Sequence, residues 1–208
     1  MKYYNKKKKE EGWKVKNNRP EELLQNAEEF YTQEEIENYS HSGGMQRAQQ
    51  EIAFKVNDLI EIKKKEKILD IGCGVGYTMA VFSSLGYRVE GVDLMQGMID
   101  KAKKNGFNVK QADMRNLKKV IKKESYDILI SISALQWVKK EEELEEVAES
   151  FFYVLKKNGK AIIQFYPKSK NELMKVKEIF SKANFNAREI IQNENDPRKR
   201  LVFLILEK

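Results

Sequence analysis

Asp70-Ile71-Gly72-Cys73-Gly74-Val75-Gly76 joins an apolar run, residues 67–71, to a segment of helical character, residues 77–85. Few architectures accept three glycines in five residues between a strand and a helix. Such a turn needs φ values closed to most side-chain-bearing residues, and it brings bare backbone to the carboxyl end of a strand. The rest of the chain keeps the same rhythm. Residues 88–92 read as a strand ending at Asp93, and 95–104 as a helix stopped by Asn105-Gly106. Residues 107–112 read as a strand ending at Asp113, and 126–132 as a strand. Residues 142–156 read as a helix with Leu144, Val147, Ala148, Phe151, Phe152 and Leu155 on one stripe, stopped by Asn158-Gly159. Residues 160–166 form a strand broken by Pro167, 171–183 a helix, and 186–191 and 201–206 strands around a polar turn carrying Pro197. Upstream, Met45, Gln49, Ile52, Ala53, Val56, Leu59 and Ile60 mark an amphipathic helix over about 45–61.

Alternating strands and helices imply a parallel sheet with helices on both faces. The last two strands, with only a turn between them, must pair antiparallel. The expected fold is therefore α/β: a Rossmann-like, seven-stranded, mostly parallel sheet with a C-terminal antiparallel hairpin.

Charge and apolar content narrow the function classes. The longest apolar run is six residues, 201–206, against the ~20 that a membrane-crossing helix needs. The lysine-rich start has no apolar stretch behind it and is no secretory signal. One cysteine, Cys73, allows no internal disulfide and no cysteine-built zinc site, and no metal site is expected. It fits a reducing compartment. The net charge is +7, and residues 1–20 hold eight bases against two acids. Residues 21–208 hold 31 bases against 30 acids. Residues 1–18 thus read as a flexible basic arm for a polyanion such as RNA, or as a solvated tail. The clusters Lys63-Lys64-Lys65, Lys101/Lys103/Lys104 and Arg115/Lys118/Lys119/Lys122/Lys123 are singly ordinary wet surface; together they favour nucleic acid over an acidic protein.

The glycine loop takes its meaning from three acids. Asp70 stands at its mouth, Asp93 closes the next strand where a carboxylate can accept two ribose hydroxyls, and Asp113 closes the one after, within reach of an adenine edge. The pattern is G-x-G-x-G, not the G-x-G-x-x-G of dinucleotide folds, and an acid at the loop would repel a pyrophosphate. It suits a cation. The alternative is a structural glycine turn with solvated strand-end acids.

On these residues the chain resembles the class I S-adenosylmethionine-dependent methyltransferases over about 45–208. The resemblance implies S-adenosylmethionine as cofactor. It places Asp70, Gly72, Cys73, Gly74 and Gly76 around the methionine part, Asp93 and Leu94 at the ribose, Asp113 and Met114 at the adenine, and Ser131 at the end of the fourth strand. The reacting methyl then lies near Ser131-Ile132-Ser133-Ala134-Leu135-Gln136-Trp137. That segment has no His, Asp, Glu or Lys, and the one histidine, His41, is distant in sequence. A hydroxyl acceptor needs a base, whereas a ring nitrogen such as guanine N7 attacks with its own lone pair. The segment favours the nitrogen, unless another segment brings the base. Gln136 and Trp137 are the candidate catalytic positioning residues, an amide for a base edge and a stacking face. Trp137 is equally readable as core.

A closer resemblance rests on Arg19-Pro20-Glu21, Phe30-Tyr31, Tyr39, the block Ile-Ser-Ile-Ser-Ala-Leu-Gln-Trp at 130–137, and Gln164-Phe165-Tyr166-Pro167. Over about 19–192 the chain is similar to the small-subunit ribosomal RNA guanine-N7 methyltransferases. This implies an N7-methylguanosine product in small-subunit rRNA or a pre-ribosomal particle. It also implies a small zinc-binding methyltransferase activator as partner, pairing with the edge strand 107–112. Tyr39, Arg47, Tyr166 and Pro167 are the expected substrate contacts. Where the family carries Asn-Ser-Arg after the tyrosine, this chain has Ser42-Gly43-Gly44, and Arg47 is the candidate substitute. The family's basic C-terminal extension is absent, which points to an archaeal or shortened form in the cytoplasm, or in the nucleus of a eukaryote. The expected layout is the arm 1–18, then a methyltransferase domain 19–208 made of a helical lid, 19–62, and a cofactor-binding core, 63–208. Two rivals share the fold: a small-molecule methyltransferase, and a methyltransferase-like ribosome-assembly scaffold.

Overall fold

Crossover segments separate the first five strands, β1 (Lys67–Ile71), β2 (Arg88–Asp93), β3 (Val109–Gln111), β4 (Tyr126–Ile132) and β5 (Leu155–Phe165), so all five run in one direction. The next two, β6 (Asn186–Gln192) and β7 (Leu201–Glu207), have only a turn between them and pair antiparallel. In this computed structural model, which describes Trp13 and residues 19–208, the sheet has seven strands in the order β3-β2-β1-β4-β5-β7-β6. The expected arm, 1–18, lies outside the described residues apart from Trp13.

Both sheet faces are covered, so the central strands are apolar without alternation. On one face Leu69, Leu129, Ile163 and Leu204 pack against α7 (Glu141–Val154) and α8 (Lys170–Lys182) through Val147, Phe151, Val176 and Phe180. On the other, Ile68, Ile130, Ile162 and Phe203 meet α4 (Gly43–Leu59) and α5 (Tyr77–Ser84) through Ile52, Val56 and Phe82. A further helix, α6 (Gln96–Lys104), sits beside β3, burying Ile99 and Ala102 with Val109. β7 is fully buried from Val202 to Leu206.

Two element boundaries differ from expectation. The helix predicted over 142–156 ends at Val154, and Leu155 already belongs to β5. Leu155 pairs with Tyr126, the ladder then breaks, and it resumes at Lys160 opposite Ile128. Lys156 holds the irregular stretch by bonding both Asp127 oxygens at 2.9 and 2.8 Å. The edge strand predicted over 107–112 is only three residues long. Phe107 instead packs beneath Gly76, and the Asn108 carbonyl accepts from Gly91 N–H.

Among the described residues four helices precede the sheet: α1 (Pro20–Leu23), α2 (Ala27–Phe30), α3 (Gln33–His41) and α4. Their starts follow from side chains that satisfy orphan amides. Asn26 accepts from Glu29 N–H at 2.9 Å, Thr32 from Glu35 N–H at 3.2 Å, and Ser42 from Met45 N–H at 3.3 Å. Ser42-Gly43-Gly44 is thus the capped start of α4. No helix among the described residues is long and apolar enough to cross a membrane.

Candidate active site

The glycine loop closes on the end of β2. Gly72 and Cys73 N–H both donate to the Val92 carbonyl, at 2.8 and 3.0 Å, and Gly74 N–H donates to Asp93 Oδ2 at 2.8 Å. With Gly76 N–H donating to the Cys73 carbonyl at 3.0 Å, four amides of the loop are bonded within the protein. The three glycines, at φ 76°, 53° and 96°, do different jobs. A Cβ on Gly72 would stand 2.4 Å from Ala134 Cβ, and one on Gly76 would stand 2.4 Å from the Phe107 ring. Those two let neighbouring segments approach. Gly74 lies open, with the Tyr39 ring 3.8 Å from where its Cβ would be.

Behind the loop lie two carboxylates. Asp70 is 1% exposed, and its Oδ2 has no hydrogen-bond partner. Burial, then the charge of Asp93, pushes its carboxyl up to about 8. Burial also raises Asp93, against bonds from the backbone N–H groups of Met95, Gly74 and Leu94.

A cavity of about 1020 Å³ separates this edge from the lid. Gly72, Cys73, Gly74, Asp93, Leu94, Asp113 and Met114 form its floor. Asp70, Gly76 and Ser131 do not line it. Ser131 is buried and spends its hydroxyl on the Ile71 carbonyl at 2.9 Å. Asp113 is not free: Arg115 Nε and Nη2 reach its Oδ2 at 2.8 and 2.6 Å, and Arg115 Nη1 continues to Glu143 at 3.1 Å. Burial opposes ionisation of Asp113, but the Arg115 bonds outweigh it and hold the carboxyl below its usual range.

The far wall holds Ser133, Gln136, Trp137 and Tyr166. Ser133 has φ 55°, an uncommon conformation for serine. The wholly buried Gln164 holds it there, its carbonyl accepting from Ser133 N–H and its Oε1 from the Ser133 hydroxyl, both at 2.9 Å. Ser133 in turn aims its carbonyl at Gln136 Nε2, 2.9 Å away. One N–H of the expected amide donor is therefore used, and Gln136 Oε1 is buried without a partner. Trp137 is half-buried at the cavity wall, and neighbouring rings pack on it. Phe30 stacks on it at 5.8 Å and 26°, and Tyr31 packs against it at 5.8 Å, so it is part of the aromatic wall.

The helices before β1 supply the roof. Tyr39 stacks on Tyr77 at 5.6 Å, and Tyr77 Oη donates toward the Tyr39 and Ser40 carbonyls, 3.0 Å from each. Burial, Asp93 and Glu21 raise Tyr31 to about 12, against a hydrogen bond from Trp137. Arg47 is exposed and outside the lining, because α4 turns Met45, Ala48, Gln49 and Ile52 to the cavity. Pro167 is buried and also outside it; Tyr166 lines the mouth with Arg19 over its ring at 4.1 Å. His41 is exposed beside Glu37. Sequence reasoning missed the acids Glu21, Glu28 and Glu35, which the lid brings to the cavity. Of these, Glu21 stood in the Arg19-Pro20-Glu21 motif, a signal read only as a family mark.

A protein-family model described as a methyltransferase domain matches residues 69–163. The chain is 26% identical to the 18S rRNA (guanine-N(7))-methyltransferase of Schizosaccharomyces pombe, over 91% of this chain and 74% of that one. It is 25% identical to the Bos taurus 18S rRNA (guanine-N(7))-methyltransferase, over 89% and 70%. Among solved structures, a SAM-dependent methyltransferase from Archaeoglobus fulgidus superposes with a TM-score of 0.61 at 16% identity, covering 77% of this chain and 94% of that one. A Haloferax volcanii methyltransferase solved with a methyltransferase activator superposes with a TM-score of 0.66 at 15% identity, covering 83% and 97%. These two likenesses are of fold.

Proposed function

The chain belongs to the class I S-adenosylmethionine-dependent methyltransferases, and from that premise we propose that it methylates N7 of a guanine in small-subunit ribosomal RNA, together with a small zinc-binding activator. The observation that carries this reading is the likeness, along about nine-tenths of the chain, to 18S rRNA guanine-N7 methyltransferases. The aromatic wall of Phe30, Tyr31 and Trp137 at the acceptor end of the cavity supports it.

The residues present fit the cofactor. The Gly72, Cys73, Gly74 and Gly76 amides, bonded within the protein, suit a ligand that asks no phosphate cradle of them. An orphaned buried carboxylate oxygen on Asp70 suits a cation, and Gly74 leaves bare backbone against which a ligand can lie. S-adenosylmethionine supplies an electrophilic methyl group on a sulfonium. Asp70 would serve the methionine ammonium through the loop, Asp93 the ribose hydroxyls, and Leu94, Asp113 and Met114 the adenine. Guanine N7 attacks with its own lone pair, so no side chain has to take a proton. The chain's task is alignment. Gln164 sets Ser133, Ser133 sets Gln136, and the stacked Trp137 and Phe30 fix the plane beside them. The lid, 19–62, covers the core, 63–208, and the basic arm captures RNA backbone. β3 has β2 as its one sheet neighbour and exposes Lys110 and Gln111, which suits an activator strand added at that edge. The place of action is where small subunits are assembled, the cytoplasm or, in a eukaryote, the nucleus.

The test is tritiated methyl transfer from S-adenosylmethionine to small-subunit particles and, separately, to total tRNA, with and without the co-expressed activator, the nucleoside being identified by mass spectrometry. N7-methylguanosine in the small subunit is the expected product. No transfer to RNA from a preparation that binds the cofactor would refute the reading.

A further inference from the structure

Methyl transfer to a ring nitrogen has no use for a buried base, yet the lid buries one in the acceptor cavity. Glu21 is 7% exposed and lines the cavity with Phe30, Tyr31, Trp137 and Tyr166. Among the described residues no hydrogen-bond donor or ion-pair partner reaches its carboxylate. Its sequence neighbour Arg19 is placed over the Tyr166 ring. The charge of Glu21 is felt by Tyr31, one of the rings of the aromatic wall. A carboxylate at the cavity wall with no partner from the protein is free to accept from what enters the cavity.

A ligand that brings N–H donors in a plane matches such a carboxylate. A carboxylate accepts only, and two parallel N–H groups satisfy both of its oxygens at once. Guanine carries such a pair, N1–H beside the 2-amino group, on its Watson–Crick edge. Adenine places an acceptor, N1, at the corresponding position. Guanine N7 lies on the other side of the ring system. A base gripped by its Watson–Crick edge therefore turns N7 away from the carboxylate, and a base out of its stack is held between aromatic faces. The cavity offers both features side by side.

We propose that Glu21 reads the Watson–Crick edge of the target guanine, accepting from N1–H and the 2-amino group, and so selects guanine and presents N7 for methylation. The assignment rests on the guanine-N7 reading above and deepens it. Arg19-Pro20-Glu21 then has a chemical role: Pro20 opens α1, and the next residue carries the recognising carboxylate.

The experiment uses the full chain with its activator and an RNA substrate whose modified position has been mapped. A second RNA carries inosine there, which lacks the 2-amino group but keeps N1–H and N7. The wild type should favour guanosine by at least about tenfold in kcat/KM, as a site built to bond a missing group does. Glu21→Ala should bring that ratio close to one. Glu21→Gln, nearly isosteric, should lower transfer to guanosine by about 100-fold. Both variants should bind S-adenosylhomocysteine as the wild type does. A guanosine-to-inosine ratio unchanged in Glu21→Ala overturns the proposal while leaving the guanine-N7 reading intact. Loss of cofactor affinity in both variants makes Glu21 structural and overturns it too. If Glu21→Gln stops transfer to both RNAs equally and removes the acidic limb of the pH–rate profile, Glu21 is a general base and the proposal falls. Absence of N7-methylguanosine from the wild-type reaction removes the underlying reading and this proposal with it.

Discussion

Raising the pH should weaken this fold through one residue, Asp70. Its carboxyl is buried, one oxygen has no partner, and burial together with Asp93 moves it from 3.8 in the open chain to about 8 in the fold. Between those values the folded state holds a proton that the unfolded state has lost. Stability therefore falls as pH rises, from full at or below about 4 to its plateau above about 8. Each pH unit inside the window is worth at most about 1.4 kcal/mol, so the interval from pH 5 to 8 costs up to about 4 kcal/mol. Urea unfolding at pH 5, 6, 7 and 8, compared between the wild type and Asp70→Asn, isolates this one group. The stability of the wild type relative to the variant should decline steadily across that interval. Parallel profiles would refute the assignment of the raised carboxyl to Asp70. The same proton should also appear in binding. A cationic ligand beside Asp70 favours its ionised form, so cofactor binding near pH 7 should release a proton. Calorimetric enthalpies should then differ between phosphate and Tris, and Asp70→Asn should erase the difference.

The loop glycines should separate stability from binding. Gly76→Ala meets both a φ of 96° and the Phe107 ring, and should cost about 3 kcal/mol in urea unfolding. Gly74→Glu should leave the melting temperature within a few degrees but abolish calorimetric binding of S-adenosylhomocysteine, because its side chain enters the cavity. Trp137→Ala strips the wall from Phe30 and Tyr31, and should reduce methyl transfer far more than cofactor affinity; equal losses would make the ring purely structural. Removing residues 1–18 should flatten the salt dependence of RNA binding, the slope of log K against log salt falling by about 0.7–0.9 for each phosphate that the arm no longer neutralises.

The sheet was legible because its signals are local. The glycine turn, the three strand-end acids and the periodicity of 67–132 each sit within a few residues of what they determine. The boundary between α7 and β5 was not, because Leu155 satisfies the helical stripe and the strand equally; only its pairing with Tyr126 decides. The floor of the cavity could be read from the ends of β1, β2 and β3. The roof could not. Phe30 meets Trp137, and Glu21 enters the acceptor cavity, only through the path of the lid, whose short capped helices have no periodicity to announce them. Asp113 shows the same limit on a smaller scale: its position was predictable, but its capture by Arg115 was not.

The antiparallel end of the sheet constrains the order in which the protein can be made. β6 has a single neighbour, β7, and β7 has to be inserted between it and β5. A ribosome working at about 5–20 residues per second therefore exposes five parallel strands and an unattached sixth before the segment that joins them exists. Until residues 201–207 emerge, β5 presents an open apolar edge of the kind that recruits stray strands. Nascent chains arrested short of that segment should be clients of chaperones, and the cofactor cavity, whose far wall stands on β5 through Gln164, should close only when translation has passed it.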